Sequence, residues 1–317
     1  MSSTADTPAG EPALSPDEFR ALHARLRRET SWGPGDRRGG LNTTTSVTVR
    51  AAAGEVRSGR HVSLASLIET RPGPDNPRPS THAMVSATGA DLASEGLDFV
   101  LDRIAMNVHG DDHTHLDALS HVVYDGTMYA GVPEETVTEG GASALTVDVA
   151  RDGVVGRGVL LDVPRVRGVP WLEPGDAVTL ADVAAAEAAQ GVRVGEGDLL
   201  LVRVGHARRR SELGPWDVAH TRAGLHPQAV PFLAERRVAL LGSDSNNDVA
   251  PSLVRGVGFP VHVLAIHAMG LMLLDYLQLE ELAALCAQEG RWSFLCVVAP
   301  LRLPAATGSP VNPIAVL

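Results

Sequence analysis

The chain has 317 residues, 44% of them hydrophobic, enough for a sizeable core in one large domain or two modest ones. Its formal net charge of −11 argues against a nucleic-acid surface, and basic tracts as short as Arg208-Arg209-Arg210 do not reverse that. The first residues lack the basic and then apolar regions of a signal peptide, and no apolar run is long enough to span a bilayer.

Residues 1–14 are small and polar and are predicted as a disordered tail, with one domain over 15–317. Ser15-Pro16-Asp17-Glu18 is a helix start, followed by an apolar stripe of Phe19, Leu22 and Leu26. The stretches SWGPGDRRGGLN (31–42) and RPGPDNPRP (71–79) read as a turn-rich segment and a long exposed loop. Buried strands are predicted over 158–163, 198–204, 238–242 and 292–300. Helices are predicted from a Thr179 cap to Gln190, over 226–237, over 262–274 and over 279–288. Apolar strands alternating with helices predict an α/β domain with a covered sheet. Cys286 and Cys296 have no CxxC spacing and read as reduced core thiols of a cytoplasmic protein.

The chemistry concentrates in HGDDHTHLDALSH, residues 109–121, which holds four of the twelve histidines. On an extended segment, residues two apart point to one face, so His109, Asp111, His113, His115 and Asp117 share a side. His121 joins them if the strand continues. Imidazole and carboxylate together suit a divalent metal, zinc or manganese. The structural alternative is a polar strand end with hydrogen-bonded histidines. Further ligands are sought in HVLAIHAMGLMLLD, residues 262–275, where His262 and Asp275 stand at the ends of an apolar run. Asp275 at a helix C-terminus would oppose the helix dipole, which favours a compensating cation. His267, set among apolar residues, reads first as packing. There is no G-x-S-x-G elbow and no Walker or Rossmann glycine pattern.

With Thr114, His115, Asp117, Ala118 and His121 in register, the segment resembles the H-x-G-T-H-x-D-A-P-x-H signature of the metal-dependent cyclase family. That family includes kynurenine formamidase, isatin hydrolase and some aromatic polyketide cyclases. Leu119 replaces the proline, and His113 replaces the glycine. GVLLDV, GDLLLVRVG, LLGSDSNND and TGSPVNPIAVL resemble its longer members, so the likeness covers residues 31–317.

The resemblance implies a compact α/β domain around a mixed β-sheet, assembled as homodimers or homotetramers and acting on a small-molecule substrate. It implies His115 and Asp117 as metal ligands and His121 as the acid/base beside the metal. The first ligand position of the pattern falls on Asp111, but His109, two residues earlier and brought in by a bulge around Gly110, is the expected ligand, with Asp111 as the alternative. Aligning Gly270 with the family's H-x-x-L-L-x-x-G-x-x-x-x-E puts Asp275 on the glutamate and leaves His262 one residue out of step. A one-residue insertion repairs this, and His267 is a weaker substitute. The expected reaction is hydrolysis of an amide, formamide, lactam or imide by metal-activated water. The alternatives are a metal-assisted polyketide-type cyclisation and a catalytically inactive binding protein. The aromatics Trp32, Tyr124, Tyr129 and Trp216, with the 71–82 loop, are expected to shape substrate specificity.

Overall fold

The computed structural model describes residues 12–87 and 94–317, so most of the tail expected over residues 1–14 lies outside the described residues. Helix α1 (Pro16–Glu29) begins as its sequence requires. Ser15 Oγ accepts from the Glu18 amide, and the Glu18 carboxylate accepts from the Ser15 amide, satisfying two donors the helix start leaves free. Phe19 and Leu26 are buried on its inner face.

After α1 come α2 (Ser46–Ala53), β1 (His61–Ser63), the antiparallel pair β2 (Thr81–Ala87) and β3 (Phe99–Ala105), and β4 (His115–Asp117). The alternating part follows as β5 (Val154–Asp162), α3 (Leu180–Gln190), β6 (Leu199–Arg203), α4 (His206–Leu213), α5 (Val230–Arg236) and β7 (Leu240–Ser243). A helix over residues 260–269 leads to β8 (Met272–Asp275), then α6 (Glu280–Glu289), β9 (Ser293–Val298), β10 (Gly308–Pro310) and β11 (Ile314–Val316).

Among the described residues, nine strands form one sheet in the order β1-β11-β9-β5-β6-β7-β8-β4-β10. The central strands β5, β6, β7 and β8 run parallel. β4 and β10 extend one side antiparallel, and β9, β11 and β1 extend the other. The fold is therefore the α/β type with a mixed sheet that the sequence implies. Every residue of β6 and β7 is buried, which is why these strands read as apolar runs, up to Arg203 and Ser243 at their ends, rather than alternating. Among the described residues no helix is long and apolar enough to cross a membrane.

The helix expected over 262–274 needs correction. It ends at Gly270, in the left-handed region at φ +69°, and Met272–Asp275 continues as a strand. The apolar run misleads because a strand buried on both faces and a buried helix give the same pattern. Gly270 is required by close approach. A Cβ there would lie 2.5 Å from Tyr129 Cζ, and one on Gly39 would lie 1.9 Å from Gly270 O. The Gly-rich turn thus seats directly on the helix end, where the Gly40 amide donates to Gly270 O at 2.9 Å.

His267 faces α1. Its Nδ1 is 2.9 Å from His23 Nε2, and its Nε2 is 3.2 Å from Thr127 Oγ1. Burial, then His23 and Arg27, push its pKa down to about 4. An unfolded imidazole titrates near about 6.5, so below that pH the unfolded chain takes up a proton that the folded chain refuses until about pH 4. The stability contribution is complete above about pH 6.5 and is lost as pH falls through that window. Between about pH 7 and about pH 5 the loss through this residue is about 2 kcal/mol, an order-of-magnitude figure. Urea unfolding should show His267→Gln with that part of the slope flattened; an unchanged slope would place the acid sensitivity elsewhere.

Candidate metal centre

The site is built where β4 meets β8. These strands pair antiparallel, with Asp275 opposite His115 and Leu273 opposite Asp117. His115 and Asp117 are two apart on β4 and project together. The shared parity expected back to residue 109 does not hold. Residues 111–113 bend, and His113 turns toward Val108 O and Asp112 Oδ1, both at 3.0 Å. Asp111 turns elsewhere as well, its Oδ1 accepting from Tyr276 Oη at 2.8 Å. His109, reached across Gly110, returns to the cluster with Nδ1 2.7 Å from Asp117 Oδ1 and Nε2 3.0 Å from Thr307 Oγ1.

His262 enters from the 260–269 helix. Residues 263–269 form a π-helix, whose turn takes one residue more than an α-turn. That turn absorbs the single residue by which His262 falls out of step in the sequence. His262 Nε2 lies 3.4 Å from Asp117 Oδ2 and 3.4 Å from Asp275 Oδ2. His267, pointing at α1, is not part of the group. Asp275 also differs from expectation, since it closes a strand rather than a helix and no helix dipole bears on it.

His115 Nε2 completes the group, 3.6 Å from Asp117 Oδ1 and 3.9 Å from Asp275 Oδ2. These separations exceed ordinary hydrogen bonds. Donors about 2.0–2.2 Å from one tetrahedral ion stand about 3.3 Å apart, so the spacing suits shared ligands. The ring orientations agree. His115 Nδ1 donates to the His113 carbonyl at 3.0 Å, and His262 Nδ1 donates to Asp248 Oδ2 at 2.6 Å, which turns both Nε2 atoms toward the group. Asp117 Oδ2 is buried with no hydrogen-bond donor among the described residues. A buried carboxylate oxygen in that state needs a cation or a donor. The orphaned oxygen and the two-imidazole, two-carboxylate donor set fit a divalent metal ion.

The electrostatics follow from the same crowding. Burial opposes the charge of Asp117, but His121, His109, His262 and His115 together hold its carboxyl well below the usual range. Burial likewise opposes a charged His262, yet Asp275, Asp117 and Asp248 lift it well above the ordinary imidazole value. Metal binding must displace that proton, so it releases protons at neutral pH. His121 sits just past the strand, its amide donating to Ala118 O at 3.0 Å. Its ring stacks on His109 at 3.7 Å, with Nε2 4.0 Å from Asp117 Oδ2. Burial pushes it down to about 4 against the pull of Asp117, so it is a neutral base at neutral pH.

The sequence reading gave no role to the SDSNND segment, residues 243–248. All six side chains are buried, from the last residue of β7 onward. Asn246 Nδ2 donates to Asp275 Oδ2 at 2.8 Å and Asn247 Nδ2 to Asp275 Oδ1 at 2.5 Å. Asp248 accepts from the Val261 and His262 amides and from the His262 ring. A polar run following a buried strand was the available signal. Asp248→Asn removes the charge that orients His262 and should weaken metal affinity about 10–100-fold in a folded protein. Chelator competition measures this; unchanged affinity would mean that Asp248 serves the fold alone.

The aromatic residues expected around a substrate are packed in other places. Trp32 lies against Arg237, Tyr124 against Phe19, His23 and His267, and the Tyr129 hydroxyl donates to Asp36 Oδ2 at 2.9 Å. They lie around α1 and the Gly-rich turn, Tyr129 buried and Trp32 and Tyr124 half-buried. The Trp216 ring lies 4.7 Å from that of His206, tilted by 44°. In the 71–82 loop Asp75 and Asn76 are buried rather than exposed.

The sheet and the buried His/Asp group define an α/β protein with a candidate divalent-metal centre. The family profile described as "Putative cyclase" matches residues 38–247, and the chain belongs to this cyclase family. The resemblance read from the sequence is thereby upheld. A solved structure described as a novel cyclase is 34% identical and covers 93% of this chain and 99% of its own, with a TM-score of 0.81. Isatin hydrolase A from Labrenzia aggregata, bound to benzyl benzoate, is 22% identical, covers 86% of this chain and 98% of its own, and has a TM-score of 0.57. Isatin hydrolase A from Ralstonia solanacearum is 21% identical over 90% of this chain and 98% of its own, with a TM-score of 0.55. The last two establish likeness of fold. No curated protein matches the chain.

Proposed function

We propose that the protein is a metal-dependent hydrolase that cleaves a C–N bond of a small amide, formamide, lactam or imide. The observation that carries this is the buried group of His115, Asp117, His262 and Asp275 with neutral His121 beside it. These four residues would hold the ion, zinc or manganese, and His109 rather than Asp111 is the further ligand, its Nδ1 already at Asp117. When bound, the metal supplies Lewis acidity toward a carbonyl oxygen and lowers the pKa of water. His121 takes the proton from the attacking water and delivers it to the leaving nitrogen. Asp117 balances the imidazolium that forms in between, and Asp248 keeps His262 in the required tautomer. The isatin hydrolases of similar fold support the hydrolytic reading.

The test strips the protein with chelator, reloads it with zinc or manganese, and assays formamides, lactams and imides. Turnover should vanish on stripping and return on reloading; a loaded protein inactive on the whole panel would contradict the assignment. Membership in a family described as cyclases keeps a second reading, in which the same metal and His121 enolise a carbonyl and close a ring.

A homodimer or homotetramer in the cytoplasm is part of this proposal. Cys286 and Cys296 are free, buried thiols, as expected in a reducing compartment. Among the described residues, strands β2 and β3 pair only with each other and expose Met84, Phe99, Val100 and Ile104. An isolated two-stranded pair is marginal in water, and an apolar patch of this kind marks an interface. Val100→Asp with Ile104→Asp should shift the sedimentation profile toward monomer; an unshifted profile would place the interface elsewhere.

A further inference from the structure

Phe259 stands beside the metal cluster with its side chain half in the open. It is 47% exposed, while His262, three residues on, is 5% exposed. The two ring centroids are 5.6 Å apart, with the planes at 73°. His121, the acid/base of the proposed reaction, adjoins the same imidazole at 6.3 Å between ring centroids.

The fold does not need an exposed aromatic side chain there. Phe259 precedes Pro260 and occupies the N-cap position of the 260–269 helix. Ser, Thr, Asp or Asn is favoured at such a position because its side chain accepts from the first amides, which a phenyl ring cannot do. Asp248 caps this helix instead, accepting from the Val261 and His262 amides at 2.7 and 3.0 Å. Nor does Phe259 serve the core, since it is nearly half exposed.

Arg222 fixes the ring from behind. This side chain is only 1% exposed. Its Nε donates to Asp248 O at 3.0 Å, and its Nη1 donates to Val218 O at 2.9 Å and to Ala219 O at 3.0 Å. Its guanidinium carbon lies 5.1 Å from the centre of the Phe259 ring. Asp248 also orients His262, so the ring and the imidazole share one support. A cation against one aromatic face attracts the π density. The other face becomes less negative, which weakens the repulsion that disfavours face-to-face stacking.

We propose that Phe259 is a specificity-determining residue, whose open face receives a planar, π-bearing substituent carried on the substrate's carbonyl group. The inference rests on the metal-hydrolase reading and adds the residue that selects among its substrates. A saturated substituent of similar size gains only from area burial, whereas a planar one also gains from stacking.

The experiment is calorimetric titration of the zinc-loaded protein with benzohydroxamate and cyclohexanecarbohydroxamate. These present one metal-binding head on a planar and on a saturated ring. Benzohydroxamate should bind about 3–10-fold tighter, the size of an aromatic pair's contribution beyond area burial. Phe259→Leu keeps an apolar side chain and should erase that preference, with the metal content read by plasma mass spectrometry unchanged. Phe259→Trp should retain the preference. Equal affinity of the two compounds for the wild type overturns the assignment, and so does a preference that survives Phe259→Leu. Failure of both compounds to bind a protein that carries zinc would overturn the metal-centre reading, and this inference with it.

Discussion

Asp117→Ala and His115→Ala are each expected to give a folded protein that carries no metal and has lost turnover by about 10³-fold or more. Asp117 is the centre of the cluster, in contact with His109, His115, His121 and His262. Its removal would take away a proposed ligand and leave the imidazoles around it without their countercharge. Loss of Lewis-acid assistance alone amounts to several kcal/mol of barrier, about tenfold in rate for each 1.4 kcal/mol. The backbone of β4 still pairs with β8 and β10 through residues that keep their amides, so the sheet should persist. Plasma mass spectrometry reads the metal and circular dichroism the fold. Full occupancy in both variants would remove the pair from the ligand set.

His121→Ala should separate metal from chemistry. The ring lies at the edge of the donor group, 4.0 Å from Asp117, with its side chain 29% exposed. Its loss should spare the metal and lower kcat by about 10²–10⁴-fold, the usual size of a general acid/base contribution. Near-normal turnover with metal retained would make His121 structural. Loss of the metal would make it a ligand, and the proton transfer would need another group.

The regular parts of the fold were legible in the sequence because local signals and tertiary packing agree there. Ser15 and Thr179 cap their helices, and Gly191 ends α3 in the left-handed conformation. The parallel strands stand out as apolar runs. Residues 260–275 were misread because every side chain of 263–274 is buried, which erases the periodicity that separates helix from strand. The π-turn that brings His262 into place leaves only a one-residue misalignment as its trace. At 109–113 the two-residue period fails because the chain bends around Gly110, where a Cβ would lie 2.6 Å from His113 Cε1. The outer supports Asn246, Asn247 and Asp248 were in plain view as a polar run, but their partners, Asp275 for the two asparagines and His262 for Asp248, lie in distant segments beyond the reach of any local pattern.

Solvent-oxygen incorporation tests the central claim most directly. The metal-loaded protein is run in ¹⁸O water on the amide, lactam or imide that it turns over best. Hydrolysis at the His115/Asp117/His262/Asp275 centre predicts one solvent oxygen in the new carboxylate, lost in parallel with turnover when the metal is stripped. A product that gains no solvent oxygen, or the same labelling rate in metal-free protein, would contradict it.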